Sequence, residues 1–217
     1  MTIHACPICN QTTTTKLYAK ANYNKDALGS FAFASRKLPE FMHHEIIQCI
    51  DCQFLFCVNI PTQEILSSLY KIAAFDSRNE ARNASDTYKK YFAKYQSHRL
   101  QKNRAMDIGT GEGSFLGLLL ADGWKEIIGV EPSSAPIECA DEEIKPYIIN
   151  DIFIAEDFDE NSFDFISLFQ TIEHIPDSFK LLSDIRILLT YGEGVLYLVC
   201  HNYQSLINRL LDRKSVV

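Results

Sequence analysis

A glycine-rich segment, DIGTGEG at residues 107–113, is the stretch whose composition points most directly to ligand binding. Glycine is favoured where the backbone takes a positive φ or where a ligand must approach the main chain closely. The apolar segment SFLGLLLADG follows at once and has the character of a helix, whose first turn would offer free N–H groups. The pattern predicts a turn between a strand and a helix that holds a nucleoside or a phosphate-bearing ligand.

The spacing of the three glycines differs from the dinucleotide-binding pattern G-x-G-x-x-G. Gly109 and Gly111 match its first two positions, but Ser114 occupies the third and the last glycine comes one residue early. Asp107 precedes the first glycine by two residues, and a carboxylate there does not help to bind a pyrophosphate. It suits a ligand with an ammonium or sulfonium group, and S-adenosylmethionine carries both.

Two further carboxylates follow the next predicted strands. KEIIGVEPS leads to Glu131, 22 residues past Gly109, where a carboxylate can accept hydrogen bonds from both ribose hydroxyls. NAD-binding proteins share this feature, so it does not separate the two ligands. PYIINDIF carries Asp151 near its end, in position for an adenine amino group.

Four of the seven cysteines form two C-x-x-C pairs, Cys6 with Cys9 and Cys49 with Cys52. Two intervening residues allow a tight turn that points both sulfurs at one metal ion, and two such pairs indicate a tetrahedral zinc site. The 39 residues between the pairs exceed the usual spacing of about 15–20. Four thiolates leave no open position, so the zinc is predicted to be structural. Disulfides, which a reducing compartment disfavours, and buried free thiols are the alternatives.

Candidate catalytic bases follow the fourth and fifth predicted strands. Glu173 and His174 come after SFDFISLF, and His201 follows GVLYLVC. Ligands bind outside the carboxyl ends of the strands in an open α/β sheet, so these residues are expected at the ligand edge. A weakly acidic carbon or hydroxyl needs such a base, and an amine or thiolate needs it less. The alternative is that both histidines only pack or cap their loops.

The elements that must position these residues divide the chain into three parts. Residues 1–60 contain the strand-like segments EIIQC and QFLFCVNI and predict a small zinc-ribbon-like module. Residues 61–103 predict a helical connector, with a helix beginning after Thr62 and a second at about 80–100 whose aromatic stripe is expected in the core. Five strands with intervening helices over 104–217 predict an α/β domain with a Rossmann-like, doubly wound, mostly parallel sheet.

In this order and spacing, DIGTGEG, VEPS, NDIF, FDFISLFQTIEHIPD and LLTYGEGVLYLV resemble the motifs of class I S-adenosylmethionine-dependent methyltransferases, over about 104–202. The two C-x-x-C pairs resemble the zinc-binding N-terminal module of some bacterial members, several of which belong to sugar or polysaccharide biosynthesis. The chain departs from the family at Tyr191 and Gly192, where Pro-Gly is usual, which affects a turn. Relatives continue through two more strands, so the resemblance implies that the 104–217 domain is incomplete at its C-terminus.

The resemblance implies S-adenosylmethionine as the cofactor and methyl transfer (EC 2.1.1.-) to a small-molecule acceptor, such as a nucleotide-linked sugar. Glu131 would bind the ribose, and Asp151 with Ile152 the adenine. Phe169 and Gln170 would flank the cofactor at the end of the fourth strand. In the glycine loop, the implied cofactor-binding residues are Asp107, Gly109, Thr110, Gly111 and Gly113.

Composition and charge argue against several other classes. The chain is 47% hydrophobic, it has no run of 18 apolar residues, and its N-terminus lacks a secretory pattern, so a cytoplasmic protein without a membrane partner is expected. The net charge is −7 for the whole chain and −11 for residues 101–217 alone. This negative charge disfavours binding to nucleic acid. Two other functions remain open: an NAD-dependent oxidoreductase, and a non-catalytic zinc- and nucleoside-binding interaction module.

Overall fold

The computed structural model describes residues 5–12, 15–22, 42–95 and 101–202. Residues 96–100 of the second predicted helix lie outside the described residues. Among the residues described, no helix is both long enough and apolar enough to cross a membrane.

A small antiparallel sheet comes first. Its strands β1 (Thr15–Ala19), β2 (Glu45–Cys49) and β3 (Leu55–Val58) pair in chain order. Ile46 and Ile47 of β2 are buried. The sequence predicted β2 and β3 from their apolar residues. It did not predict β1, because most of the side chains of β1 are exposed and give no apolar pattern.

Two helices follow the small sheet. α1 (Gln63–Lys71) begins after Thr62, the predicted N-cap, although the Thr62 side chain makes no capping hydrogen bond. α2 (Arg78–Tyr95) packs beside the glycine-loop helix, and Phe92 of its aromatic stripe is buried against Phe165. The core role predicted for the stripe is therefore correct for Phe92.

The rest of the described chain is an α/β domain. Its strands form one parallel sheet in the order β6-β5-β4-β7-β8, with β4 paired to β5 on one side and β7 on the other. The order reverses at β4, which is the topological switch point where such sheets bind ligands. The predicted fold class is confirmed. The elements are β4 (Arg104–Ile108), α3 (Ser114–Ala121), β5 (Glu126–Val130), α4 (Ser134–Glu138), β6 (Ile148–Ile149), β7 (Phe165–Phe169), α5 (Ser178–Leu188) and β8 (Val195–Val199).

Hydrophobic clusters cover both faces of the parallel sheet. Ala105 and Phe165 belong to the cluster under α2 and α3, whereas their chain neighbours Met106 and Ile166 belong to the cluster under α5. Successive side chains of a strand point to opposite faces, so a strand buried on both sides reads as a continuous apolar run. This burial holds the carboxyl ends of β4, β5 and β7 at a common edge.

The structure corrects two details of the sequence interpretation. The third strand of the parallel sheet, β6, has only two residues, because the 3-10 helix Lys145–Tyr147 precedes it. Asp151 therefore lies in the segment after β6 and not within the strand. Cys200, at the end of the apolar segment GVLYLVC, is exposed and not buried in the core.

Candidate functional site

The chain turns sharply after β4 through three glycines with positive φ. These angles are +75° at Gly109, +59° at Gly111 and +76° at Gly113. The carbonyl of Val130, at the end of β5, accepts hydrogen bonds from the N–H groups of Gly109 at 2.8 Å and Thr110 at 3.2 Å. α3 begins at Ser114, directly after Gly113, so the predicted strand, glycine turn and helix are present.

Gly109 leaves no room for a side chain. A Cβ atom there would lie 2.3 Å from Oγ1 of Thr171, in the loop after β7. A Cβ atom at Gly111 would have no neighbouring atom within 4 Å. The first glycine is therefore required by packing as well as by backbone angle, and its close contact joins the loops that follow β4 and β7.

We expect Gly109→Ala to lower the free energy of unfolding by about 3 kcal/mol, combining left-handed backbone strain with overpacking against Thr171. Gly111→Ala is the matched control, since it adds the strain without the clash and should cost about 1 kcal/mol. Urea denaturation of both variants measures the difference. Equal losses of stability would contradict the clash.

Asp107 lies near the carboxyl end of β4 and is 2% exposed. The hydroxyl of Ser167, on the adjacent strand β7, donates a hydrogen bond to Asp107 Oδ1 at 2.7 Å. Burial raises the pKa of Asp107 to about 7, against the opposing effect of the Ser167 bond. No lysine or arginine forms an ion pair with this carboxylate within the described chain. A cation bound beside it would favour its ionised form.

Glu131 follows β5 and is also buried. Its Oε2 accepts a hydrogen bond from the N–H of Gly111 at 2.9 Å, and its Oε1 accepts one from the N–H of Ser133 at 2.8 Å. Burial raises the pKa of Glu131, and these two bonds oppose the increase. The carboxylate is thus held against the glycine loop, and each oxygen keeps a lone pair for a ligand hydroxyl.

A cavity of about 490 Å³ lies where α1 faces the segment after β6. Lys71 Nζ is 3.5 Å from Asp151 Oδ1 across this cavity. The N–H of Ile152, and after it the charge of Lys71, lower the pKa of Asp151. The residues that line the cavity are Glu64, Ser67, Ser68, Lys71, Asp151 and Ile152.

Tyr88 of α2 reaches the same edge of the sheet. Its ring stacks on Phe169, with centroids 4.2 Å apart, and its hydroxyl accepts a hydrogen bond from Gln170 Nε2 at 3.0 Å. Burial raises the pKa of Tyr88, and the charges of Glu173 and Asp107 contribute to the increase. The sequence assigned the aromatic stripe of this helix to the core and missed that one of its hydroxyls faces the site.

The structure brings the three candidate catalytic residues into one neighbourhood. Glu173 and His174 lie in the 3-10 helix Ile172–His174, and Glu173 Oε1 is 4.0 Å from Nε2 of His201, which follows β8. The side chain of His174 is exposed, yet desolvation by the protein packed against it lowers the pKa of the imidazole, against the opposing charge of Glu173. Its ring meets that of Tyr70 edge-on at 6.3 Å.

Tyr70 of α1 is a site residue that the sequence did not indicate. Its carbonyl accepts a hydrogen bond from the hydroxyl of Ser133 at 2.7 Å. Burial, and after it the charge of Glu131, raise the pKa of Tyr70 to about 12. Together with the contacts to Asp151 and His174, this places α1 against the ends of β5, β6 and β7.

Glu112 is a second missed residue. It lies between two glycines and is 3% exposed, with its Oε2 at 3.7 Å from Nε of Arg78 and 4.0 Å from Nε of Arg82. Both arginines also pair with Asp141, at 2.8 and 2.9 Å. These ion pairs tie the first turns of α2 to the glycine loop.

The four predicted metal ligands are also brought together. The sulfur atoms of Cys6, Cys9, Cys49 and Cys52 all lie within 4.8 Å of one another, and two of the separations are 3.6 Å. Tetrahedral zinc with bonds of about 2.3 Å would separate its sulfurs by about 3.8 Å. A disulfide would need about 2.05 Å, and these cysteines are free. The donor set and its spacing therefore fit a zinc ion.

The two cysteine turns have the same backbone geometry. The N–H of Asn10 donates to the carbonyl of Cys6 at 2.9 Å, and the N–H of Gln53 donates to the carbonyl of Cys49 at 3.0 Å. Asn10 and Gln53 both have positive φ, +55° and +63°. The two turns therefore hold their pairs of sulfur atoms with the same backbone conformation. Two such equivalent pairs can together supply the four ligands of one tetrahedral site.

Comparison with solved structures finds similar chains. The crystal structure of the PH0226 protein from Pyrococcus horikoshii OT3 has a TM-score of 0.50 and 25% identity, covering 61% of this chain and 64% of that one. The plantazolicin methyltransferase BpumL, solved in complex with SAH, has a TM-score of 0.52 and 21% identity, covering 73% and 60%. This chain thus matches less than two thirds of the length of either. Comparison with curated proteins finds no match.

Residues 75–215 match the protein family described as Methyltransferase domain. The matched segment is well over half of the chain and contains the parallel sheet, the glycine loop and the candidate bases. The sequence features that resembled methyltransferases are therefore part of one recognised domain. By this match, the chain belongs to the methyltransferase-domain family.

Proposed function

We propose that this protein binds S-adenosylmethionine and transfers its methyl group to a small-molecule acceptor. The observation that carries the proposal is the pair of buried carboxylates, Asp107 and Glu131, at the carboxyl ends of β4 and β5. Neither forms an ion pair with a lysine or arginine within the described residues, so their negative charge suits a cationic ligand. Family membership supplies the class of reaction.

The glycine loop would hold the methionine part of the cofactor. Asp107 would accept hydrogen bonds from the ammonium group. Gly111 borders open space where a ligand can approach the main chain. Thr110 lies in the same turn, and Gly109 and Gly113 are required for its shape. Burial of the carboxylate strengthens its attraction for a cation, because the surrounding dielectric constant is lower than that of water.

The nucleoside part would lie along the ends of β5 and β6. Glu131 retains lone pairs for the ribose hydroxyls, and Asp151 with Ile152 lines the cavity that faces α1, which is a suitable place for adenine. Phe169 and Gln170 would flank the cofactor beside Tyr88.

The candidate base is His174, with Glu173 and His201 beside it. Desolvation lowers the pKa of His174, which favours the neutral imidazole that can accept a proton from the acceptor. When bound, the cofactor supplies the electrophilic methyl group. The protein must align the nucleophile and remove its proton. The resemblance to sugar-modifying members makes a nucleotide-linked sugar the first acceptor to test.

We also propose that Cys6, Cys9, Cys49 and Cys52 hold one structural zinc ion. Four thiolates complete the coordination of the metal, so it would take no part in the reaction. We further propose that the chain consists of a zinc-binding module (1–60), a helical connector (61–103) and a cofactor-binding domain (104–217).

Calorimetric titration with S-adenosylhomocysteine tests the proposed cofactor. We expect binding in the micromolar range, since the product of methyl transfer retains the ammonium, ribose and adenine groups that the site recognises. NADH titrated into the same protein should give no saturable heat. Saturable NADH binding without S-adenosylhomocysteine binding would favour an oxidoreductase, and a folded protein that binds neither would favour a non-catalytic module.

A further inference from the structure

The carboxylate of Glu173 is buried, and the described residues offer it no hydrogen-bond donor. Its side chain is 15% exposed, and neither oxygen is accessible or accepts a hydrogen bond within the described part of the chain. The nearest basic atom, Nε2 of His201, is 4.0 Å away. Burying a carboxylate without partners is costly, so its presence at the ligand edge of the sheet indicates a donor that arrives with the substrate.

The groups around Glu173 are aromatic rings, two imidazoles, a thiol and a second carboxylate. The hydroxyl of Tyr88 lies within the electrostatic influence of both Glu173 and Asp107, and the ring of Tyr70 packs against His174. The thiol of Cys200 also lies within the influence of Glu173. Carboxylates beside aromatic rings form an environment that binds ammonium groups.

The cations near the site are paired elsewhere. Lys71 pairs with Asp151, and Arg78 and Arg82 pair with Glu112 and Asp141. Within the described residues, no lysine or arginine forms an ion pair or a hydrogen bond with Glu173. A phosphate or carboxylate group of an acceptor would be repelled at this position, whereas an ammonium group would be attracted.

We propose that the atom methylated in this site is an amine nitrogen, and that Glu173 binds the acceptor in its ammonium form. The inference rests on the proposed function and names the acceptor group. The ammonium gives one proton to His174, and the nitrogen lone pair attacks the methyl carbon. An N–C bond forms as the C–S bond breaks with its electron pair left on sulfur, and the positive charge passes from sulfur to the methylated nitrogen. Anionic parts of an acceptor, such as the diphosphate of a nucleotide-linked amino sugar, lie away from Glu173.

Benzylamine and benzyl alcohol are matched probes, equal in shape and different in charge. Each is titrated into protein saturated with S-adenosylhomocysteine and followed by NMR. We expect benzylamine to bind at least tenfold more tightly than benzyl alcohol, and Glu173→Gln to remove that preference. Glu193→Gln, at an exposed turn before β8, serves as the control and should keep it.

Equal affinity for the two probes, an amine preference that survives in Glu173→Gln, or the absence of saturable amine binding would each overturn the inference. The comparison of probes on the unaltered protein needs no variant, so the inference can be tested even if Glu173→Gln misfolds. S-adenosylhomocysteine affinity is measured first for every protein. Loss of that binding in the unaltered protein contradicts the proposed function, whereas retained binding without an amine preference contradicts only the acceptor.

Discussion

Asp107→Asn should weaken S-adenosylhomocysteine binding at least 100-fold and yet make the ligand-free protein more stable at neutral pH. The amide has the shape of the carboxylate, and its oxygen can still accept the hydrogen bond from Ser167. The charge that attracts the ammonium group of the ligand is lost. The same change removes the cost of burying an ionised carboxylate, so stability and binding should change in opposite directions.

The sign of the stability change follows from the pKa of Asp107, about 7 in the folded chain against the ordinary value of 3.8. Between these values the unfolded chain has already lost the proton that the folded chain keeps. The penalty for folding therefore grows as the pH rises from about 4 to 7 and is constant above 7, where it reaches at most about 4 kcal/mol. Asparagine does not titrate, so Asp107→Asn should gain stability above pH 7 and little near pH 4.

Urea denaturation near pH 5.5 and pH 7.5, with calorimetry at the same pH values, measures both effects. In the unaltered protein, ligand affinity should rise with pH through 7 as Asp107 ionises. Asp159→Asn is the matched control, because Asp159 is exposed, and it should change neither quantity. Retained affinity in Asp107→Asn would remove this residue from the cofactor site, and unchanged stability would contradict its buried ionisation.

Loss of the metal should unfold the small N-terminal sheet. β1, β2 and β3 bury few side chains, chiefly Ile46, Ile47 and Val58, which is too small a core for independent stability. Structural zinc contributes an apparent 10–16 kcal/mol in zinc-finger peptides, so four thiolates are sufficient to stabilise such a unit. We expect about one zinc ion per chain in gently purified protein, and rapid amide exchange at Ile46 and Ile47 after chelation.

Cys49→Ser should abolish zinc binding and give the same rapid exchange. Cys139→Ser is the control, since Cys139 lies outside the cluster and is only half-buried. Metal analysis and hydrogen exchange provide independent readouts. A zinc content near zero in the unaltered protein, or slow exchange at β2 after chelation, would refute the structural role.

The sequence alone was enough for the features that depend on neighbours along the chain. Alternating glycines after an apolar strand predicted a turn with positive φ, since only glycine adopts that backbone without strain. Two C-x-x-C spacings predicted two equivalent turns, because such a turn is a property of four or five successive residues. The strands of the parallel sheet were recognisable because burial on both faces leaves a continuous apolar run. β6 was also predicted, from PYIINDIF, but as a longer strand than the two residues that pair.

Only the tertiary structure could decide what depends on residues far apart in sequence. The covering of the site by Tyr70 and Tyr88 is set by how α1 and α2 pack on the sheet edge, and their helical spacing carries no information about that contact. The raised pKa of Asp107 arises from burial between strands. The lack of a hydrogen-bond donor to Glu173 among the described residues depends on how the neighbouring elements pack around it. Charge, burial and hydrogen-bond supply are properties of the assembled edge, and the proposed preference for a cationic ligand depends on them.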